Sequence, residues 1–436
     1  MTAVVEPAIT AQGITAQGIT ALRSTHHPMV RTDAGLDPVV SRGPALLAGI
    51  AQGPGLAAHR ARLGPAPLPS AVNLVNLARA VDLRGRGGAG FPSAVKLASA
   101  QRRKAVVVVN ASEGEPASRK DAALMTMAPH VVLDGAAAVA HALGTREVHI
   151  VVPSELPTIR VGVDEALRER RADGERLKWH VHDAEPRFVA GQTTAVLQLM
   201  AGRTNLPVTA WKSASVSGHR GRPTLLSNAE TFAHLGHLAR VGSTEYAAHG
   251  TADEPGTTLV TIRGDGWAPH VREVAFGTLL SEVLSESEML QPLLLGGYHG
   301  TWLKPAQLEG LKVSRIGIAA AGATLGAGVL LPLAEGWCPL VRTHALVEYL
   351  AGQSAGRCGP CANGLPAMAE ALEDLVHRSG PVLPLEGLCG LVDRRGACAH
   401  PDGTARLVIS MLSRFPEEVQ LHALGGCRGG RVEEGE

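Results

Sequence analysis

The 436-residue sequence lacks an excess of either charge sign, has too few cysteines for a disulfide scaffold, and has no long uninterrupted apolar run. Formal net charge is +1 and the arginines are scattered, so no basic stripe is offered to nucleic acid or to an anionic membrane. Six cysteines cannot brace a chain of this size, and four of them fall between Cys358 and Cys398. That clustering points to metal ligation in a reducing compartment, so a cytoplasmic location is expected. The apolar stretch from Ile316 to Leu333 is interrupted by four glycines, and nothing approaches the ~18 to 20 apolar residues of a membrane span. Since no basic segment leading into an apolar core opens the chain, neither secretion nor direct membrane insertion is expected. Hydrolytic Ser-His-Asp and H-E-x-x-H patterns are also missing. Histidines such as His180, His182, His219 and His234 are dispersed along the sequence and read as ordinary polar or core residues.

What is present is ample apolar content, 45%, enough for two to four domains of ordinary size. Residues 9–20 form a tandem Ile-Thr-Ala-Gln-Gly repeat without helical or strand periodicity, and a disordered tail is expected over 1–40. Leu74, Leu77, Ala78 and Val81 then follow the spacing of one helical face. Alternating buried strands and helices come next: Ala105 to Asn110, a helix from about Pro129 to Leu143, Glu147 to Pro153, and a helix from Thr158 to Arg171. This pattern predicts an α/β domain over 41–245. Short strands and glycine-rich turns predict a β-grasp-like module over 250–335, and a helical bundle follows over 338–425 with a short tail at 426–436.

Two motifs carry chemistry. The first, Gly85-Arg86-Gly87-Gly88-Ala89-Gly90, satisfies G-x-G-x-x-G, but a helix precedes it and Phe91-Pro92 follow, so it is not a dinucleotide fingerprint between strand and helix. Its glycines allow close approach to a flat or anionic ligand, and Arg84 and Arg86 suit phosphate. The second is the pair Cys358 and Cys361 with Cys398 downstream. Three thiolates suit an iron-sulfur cluster lacking one protein ligand, and Cys389, Cys427 and Ser354 are candidates for the vacancy. A tetrahedral zinc site from Cys358, Cys361, Cys389 and Cys398 uses the same residues, and so does a set of reduced, packed thiols. Cys338 reads as a core residue.

The run from Leu83 to Lys96 resembles the flavin-binding loop of the NADH-binding flavoprotein subunit of respiratory complex I and of related hydrogenase and formate dehydrogenase subunits. Later segments keep the same order. Asn110 to Pro116 is similar to the family's N-A-D-E-x-E-P, Gly221 to Thr231 to its G-x-P-T-x-V-N-N-V-E-T, and Ser354 to Cys361 to its E-S-C-G-x-C-x-P-C. The resemblance implies a Rossmann-like FMN-binding domain, a soluble-ligand-binding β-grasp module and a helical domain carrying a 4Fe-4S or 3Fe-4S cluster. Implied flavin contacts are Gly85, Arg86, Gly87, Lys96, Asn110, Glu113, Asn228 and Thr231; Phe91 and Glu115 belong to the nicotinamide side. Departures are specific: Ala355 replaces the first cluster cysteine, Gln353 the Glu before it, and Gln192 and Thr193 two acidic residues. Ser112 stands for Asp, and Ala210 and Ser213 fall where the family has Lys and Phe.

The expected activity is that of an oxidoreductase subunit passing reducing equivalents from NAD(P)H or a protein donor, through FMN and the cluster, to another redox subunit or a ferredoxin-like acceptor. The alternatives are a non-catalytic paralogue acting as a scaffold and a zinc-containing structural variant.

Overall fold

The computed structural model describes residues 38–101, 104–264, 268–377 and 380–429. The expected tail segments 1–37 and 430–436 lie outside the described residues. Val39 and Val40, near the end of the first expected tail, form strand β1.

Four parallel strands make the first sheet: β2 (Val106–Asn110), β3 (Glu147–Pro153), β4 (Lys178–Ala184) and β5 (Thr224–Asn228), in the order β4-β3-β2-β5. Val106 to Val109 are wholly buried, as the unbroken run of β-branched residues requires of a strand covered on both faces. Each such side chain contributes about 1.5 to 3 kcal/mol of apolar burial. Helices Pro129–Ala142 and Ala229–Tyr246 pack together through glycines. A Cβ on Gly135 would stand 1.7 Å from the Phe232 carbonyl oxygen, so any side chain there would force the pair apart. The amphipathic helix Ala71–Ala80 starts at Ser70, whose hydroxyl accepts the Asn73 N–H at 3.2 Å, and buries Leu74, Val75 and Ala78.

A second, mixed sheet has the order β1-β7-β6-β10-β8-β9, with β6 (Thr257–Ile262), β7 (His270–Ala275), β8 (Leu293–Leu295), β9 (Thr301–Leu303) and β10 (Val329–Pro332). β1 runs parallel to β7 at one edge, from the far end of the sequence. Five helices follow: Pro339–Gly352, Leu365–His377, Leu383–Val392, His400–Arg414 and Pro416–Ala423. Buried Trp302 on β9 ties them to the sheet, its indole N–H donating to Thr343 Oγ1 at 2.9 Å and its backbone N–H to Ser410 Oγ at 3.1 Å. Among the described residues no single helix is long and apolar enough to cross a membrane. The pair Lys120–Met127 and Pro129–Ala142 meets the length and composition test only together, bent by 95°, and most of its residues are buried in the first core.

Candidate functional site

The glycine loop stands above the carboxyl ends of β2 and β5, where Asn110 and Asn228 are register partners on adjacent parallel strands. Its base is pinned by Gly85 N–H to the Phe91 carbonyl at 2.9 Å and Ser93 N–H to the Leu83 carbonyl at 2.8 Å. Gly88 (φ 95°) and Gly90 (φ 60°) supply left-handed turns. Gly85 and Gly87 are different. Neither has positive φ, and a Cβ on either would meet nothing nearer than 3.5 Å and 3.8 Å. The fold does not require glycine at these two positions, whereas a ligand lying against the bare backbone would. Below the loop opens a cavity of about 160 Å3, lined by Gly88, Lys120, Thr258, Arg315 and Gly326 among others.

Of the polar side chains expected around a flavin, several are engaged within the protein and two turn away. Asn228 Oδ1 accepts the Thr231 N–H at 3.3 Å, capping the helix that begins at Ala229, while its Nδ2 donates to Asp121 at 3.3 Å. Thr231 Oγ1 accepts the Arg86 N–H at 2.9 Å. Lys96 Nζ donates to the Leu226 carbonyl at 3.0 Å, leaving two ammonium hydrogens of its three, and burial lowers its pKa. Asn110 Nδ2 donates to the Gly191 carbonyl at 2.9 Å, and its Oδ1 accepts the Ser112 hydroxyl at 2.7 Å. Glu113 (φ 44°) turns away to the helix at Lys120, accepting the N–H groups of Asp121 and Ala122 at 3.0 and 2.9 Å. Arg86 also turns away: its guanidinium donates to the Thr257 carbonyl at 3.0 Å and lies 4.7 Å from the Phe276 ring centroid. Its Nε is buried without a hydrogen-bond partner, 3.8 Å from Glu230.

Under the loop lies a network that residue patterns did not single out. Lys120 pairs with the fully buried Glu230 at 2.8 Å and donates to the Arg86 carbonyl; Glu230 accepts Leu259 N–H at 2.8 Å from the second sheet. Burial alone would raise the Glu230 pKa, but Lys120, His234 and Arg86 outweigh it and hold the carboxyl below its usual range. For Asp121 burial wins, and its pKa rises to about 8.

Glu115 turns its carboxylate into the second sheet, accepting Tyr298 N–H at 2.9 Å. Gly297 (φ 95°) permits this approach, since a Cβ there would stand 2.5 Å from the carboxylate. Phe91, 49% exposed, has Lys96 Nζ 5.9 Å from its ring centroid. Gln192 is the residue before helix Thr193–Met200, and Trp211 is 96% exposed on the loop containing Ala210 and Ser213.

The cysteine site is assembled by the helical domain. Cys361 lies in a π-helical turn, Pro360–Gly364, that opens helix Leu365–His377, a local distortion frequent at functional positions. Backbone amides lie beside each sulfur: those of Ala397 and Cys361 by Cys358, that of Ala355 by Cys361, and that of His400 by Cys398. Burial would raise the Cys358 pKa, but the neighbouring amides and the Cys361 thiol outweigh it and lower it; burial pushes Cys361 up to about 12. Cys358, Cys361 and Cys398 lie near enough to act electrostatically on one another. Ala355, contributing a backbone N–H, borders the triad where a fourth thiolate is missing. Cys389 is packed into the apolar core with Glu386 as its charged neighbour. Cys427 lies beside Cys338, as do Glu418 and His422.

One turn joins the two sites. Phe188–Gly191 presents the Gly191 carbonyl to Asn110, while Phe188 N–H donates to Gln353 Oε1 at 3.1 Å. The Phe188 ring centroid is 5.4 Å from that of His400. His400 Nε2 donates to the Leu350 carbonyl at 2.8 Å, leaving Nδ1 as acceptor for His299 Nε2 at 3.1 Å.

The histidines scattered in sequence are partly gathered in space: His149 stacks on His180 and His182, and its ring nitrogens meet His182 at 2.9 Å and Glu147 at 3.1 Å. Their β3 and β4 positions are register neighbours, which wide sequence spacing concealed.

Two family models match. Residues 78–237 match the Nuo51 FMN-binding domain and residues 342–422 the NADH-ubiquinone oxidoreductase-F iron-sulfur binding region. The chain is 26% identical to an NADH-quinone oxidoreductase subunit of Rhizobium meliloti, over 80% of this chain and 88% of that one. It is 28% identical to an NADH-quinone oxidoreductase subunit of Streptomyces coelicolor, over 81% and 84%. It is also 26% identical to the NADP-reducing hydrogenase subunit HndC of Solidesulfovibrio fructosivorans, over 80% and 76%. The fold resembles a chain of an NAD+-reducing [NiFe]-hydrogenase crystallised in the air-oxidized state, with TM-score 0.77 and 23% identity, over 88% of this chain and 68% of that one.

Proposed function

We propose that this chain, which belongs to the family of NADH-binding FMN and iron-sulfur subunits of complex I and related hydrogenases, passes reducing equivalents from NAD(P)H to a partner redox subunit. FMN, when bound, supplies the exchange between two-electron and one-electron chemistry. The bare backbone at Gly85 and Gly87 receives the flavin, with Lys96 placed for its phosphate and the Asn110 and Asn228 amides at its polar edge. Cys358, Cys361 and Cys398 would hold the cluster, with backbone amides beside their sulfurs. The observation that carries this reading is the Phe188–Gly191 turn, which touches Asn110 at one end and Gln353 and His400 at the other.

An anaerobically purified sample is expected to show flavin bands over broad cluster absorption and to contain iron; a colourless, iron-free protein rejects the proposal. NADH-driven ferricyanide reduction then tests the donor. The uncharged Gln192 and Thr193 favour a second reading in which a redox protein supplies the electrons. Flavin that NADH does not bleach, but that a reduced ferredoxin does, selects it.

A further inference from the structure

We propose that Cys338, Glu418, His422 and Cys427 form a second metal site, separate from the cysteine triad, that takes zinc and fastens the C-terminal segment to the start of the helical domain. The four ligand atoms all lie within 4.8 Å of one another. Cys338 Sγ is 3.4 Å from Glu418 Oε1 and 3.4 Å from His422 Nε2, and these two atoms are 3.4 Å apart. Between imidazole and carboxylate that spacing is longer than a good hydrogen bond. Three equal separations of this length instead make one face of a tetrahedron with Cys427 toward its fourth corner; a regular tetrahedron of that edge has its centre about 2.1 Å from each corner, within reach of zinc-nitrogen and zinc-oxygen bonds and slightly short of the ~2.3 Å of zinc-sulfur.

The surroundings orient the ligands. Glu418 and His422 are four residues apart on helix Pro416–Ala423, hence on one face. His422 Nδ1 faces the Val376 carbonyl at 3.4 Å, while Nε2 points toward Cys338 and Glu418. Arg428 N–H donates to Glu418 Oε1 at 3.1 Å, a secondary contact that steadies the carboxylate. Cys338 precedes helix Pro339–Gly352, and Cys427 follows Gly425-Gly426, where the chain turns back. Gly429 lies so close to the 336–338 turn that a Cβ would stand 2.8 Å from Cys338 N, which seats the tail against the fourth side of the site. Cys338, Glu418 and His422 are buried and Cys427 half-buried, as a closed structural site requires.

The test uses the full-length holoprotein, prepared anaerobically with zinc and passed over a column in a weak chelator, with zinc and iron counted by mass spectrometry. One zinc per chain is expected. Occupancy should fall about tenfold or more in Cys427→Ser and His422→Ala with iron unchanged, while Cys398→Ser should lose iron and keep zinc. Cobalt titration of the unmutated protein depends on no variant folding; it should give thiolate-to-cobalt charge transfer and the strong visible bands of a tetrahedral site. Zinc equally retained in both variants, a protein that binds neither metal, or a Cys338 to Cys427 disulfide in the anaerobic sample overturns the proposal.

Discussion

Glu115 accepts the backbone N–H of Tyr298 at 2.9 Å, so a carboxylate just beyond β2 holds the second sheet against the first. Its environment raises the pKa from 4.5 to about 7, burial being the largest cause. Between those values the folded protein binds more protons than the unfolded chain. The stabilisation is full below pH 4.5 and is lost as pH rises through 7, in total about 3 kcal/mol. Glu115→Gln keeps an acceptor for Tyr298 and should flatten the melting temperature between pH 5 and 8; an unchanged slope contradicts the assignment.

Gly85→Ala and Gly87→Ala separate ligand contact from folding. Both positions have room for a methyl group, so stability should change by less than about 0.5 kcal/mol. Flavin affinity should nevertheless fall about tenfold, a loss of ~1.4 kcal/mol, as read by fluorescence titration of apoprotein with FMN. Full affinity in both variants removes the loop from the flavin site.

Lys120→Met leaves Glu230 buried beside its remaining partners without its closest cation. Removing one member of such a pair costs about 3 to 5 kcal/mol. A denaturant midpoint that does not move means that the pair is not formed in solution.

Ala355→Cys adds a sulfur on a residue whose backbone lies beside Cys361. The variant should retain iron longer than the unmutated protein on exposure to air, measured as iron per chain over time. Cys389→Ser, in the apolar core, should leave iron content unchanged. Iron loss in Cys389→Ser makes it a ligand.

Local patterns announced much of this architecture. The apolar runs ending at Asn110 and Pro153 mark β2 and β3, and the helical spacing before His377 and Arg414 marks two of the terminal helices. Residue spacing located the glycine loop and the triad, and the resemblance gave them their flavin and cluster roles. Hidden elements depend on partners distant in sequence. β1 is only two residues long and gains its partner 231 positions later, so it leaves no periodicity to read. Lys120 and Glu230 look like ordinary helix-end charges until the second sheet covers them. Cys338 reads as apolar because its neighbours Glu418 and His422 lie eighty or more residues downstream.

The β1 pairing also bears on how the chain can be divided. After that strand the backbone passes Glu273 on β7, whose carboxylate accepts the N–H groups of Ala45, Leu46 and Leu47 at 3.2, 2.9 and 2.9 Å. Leu46 and Leu47 are buried in the core of the first sheet, so the residues that fill one domain are held by an acid of the next. A fragment ending at residue 245 keeps its apolar plug and loses the clasp that seats it. The two sheets are therefore expected to unfold as one cooperative unit, and a protease should find its first cuts outside the 38–55 segment.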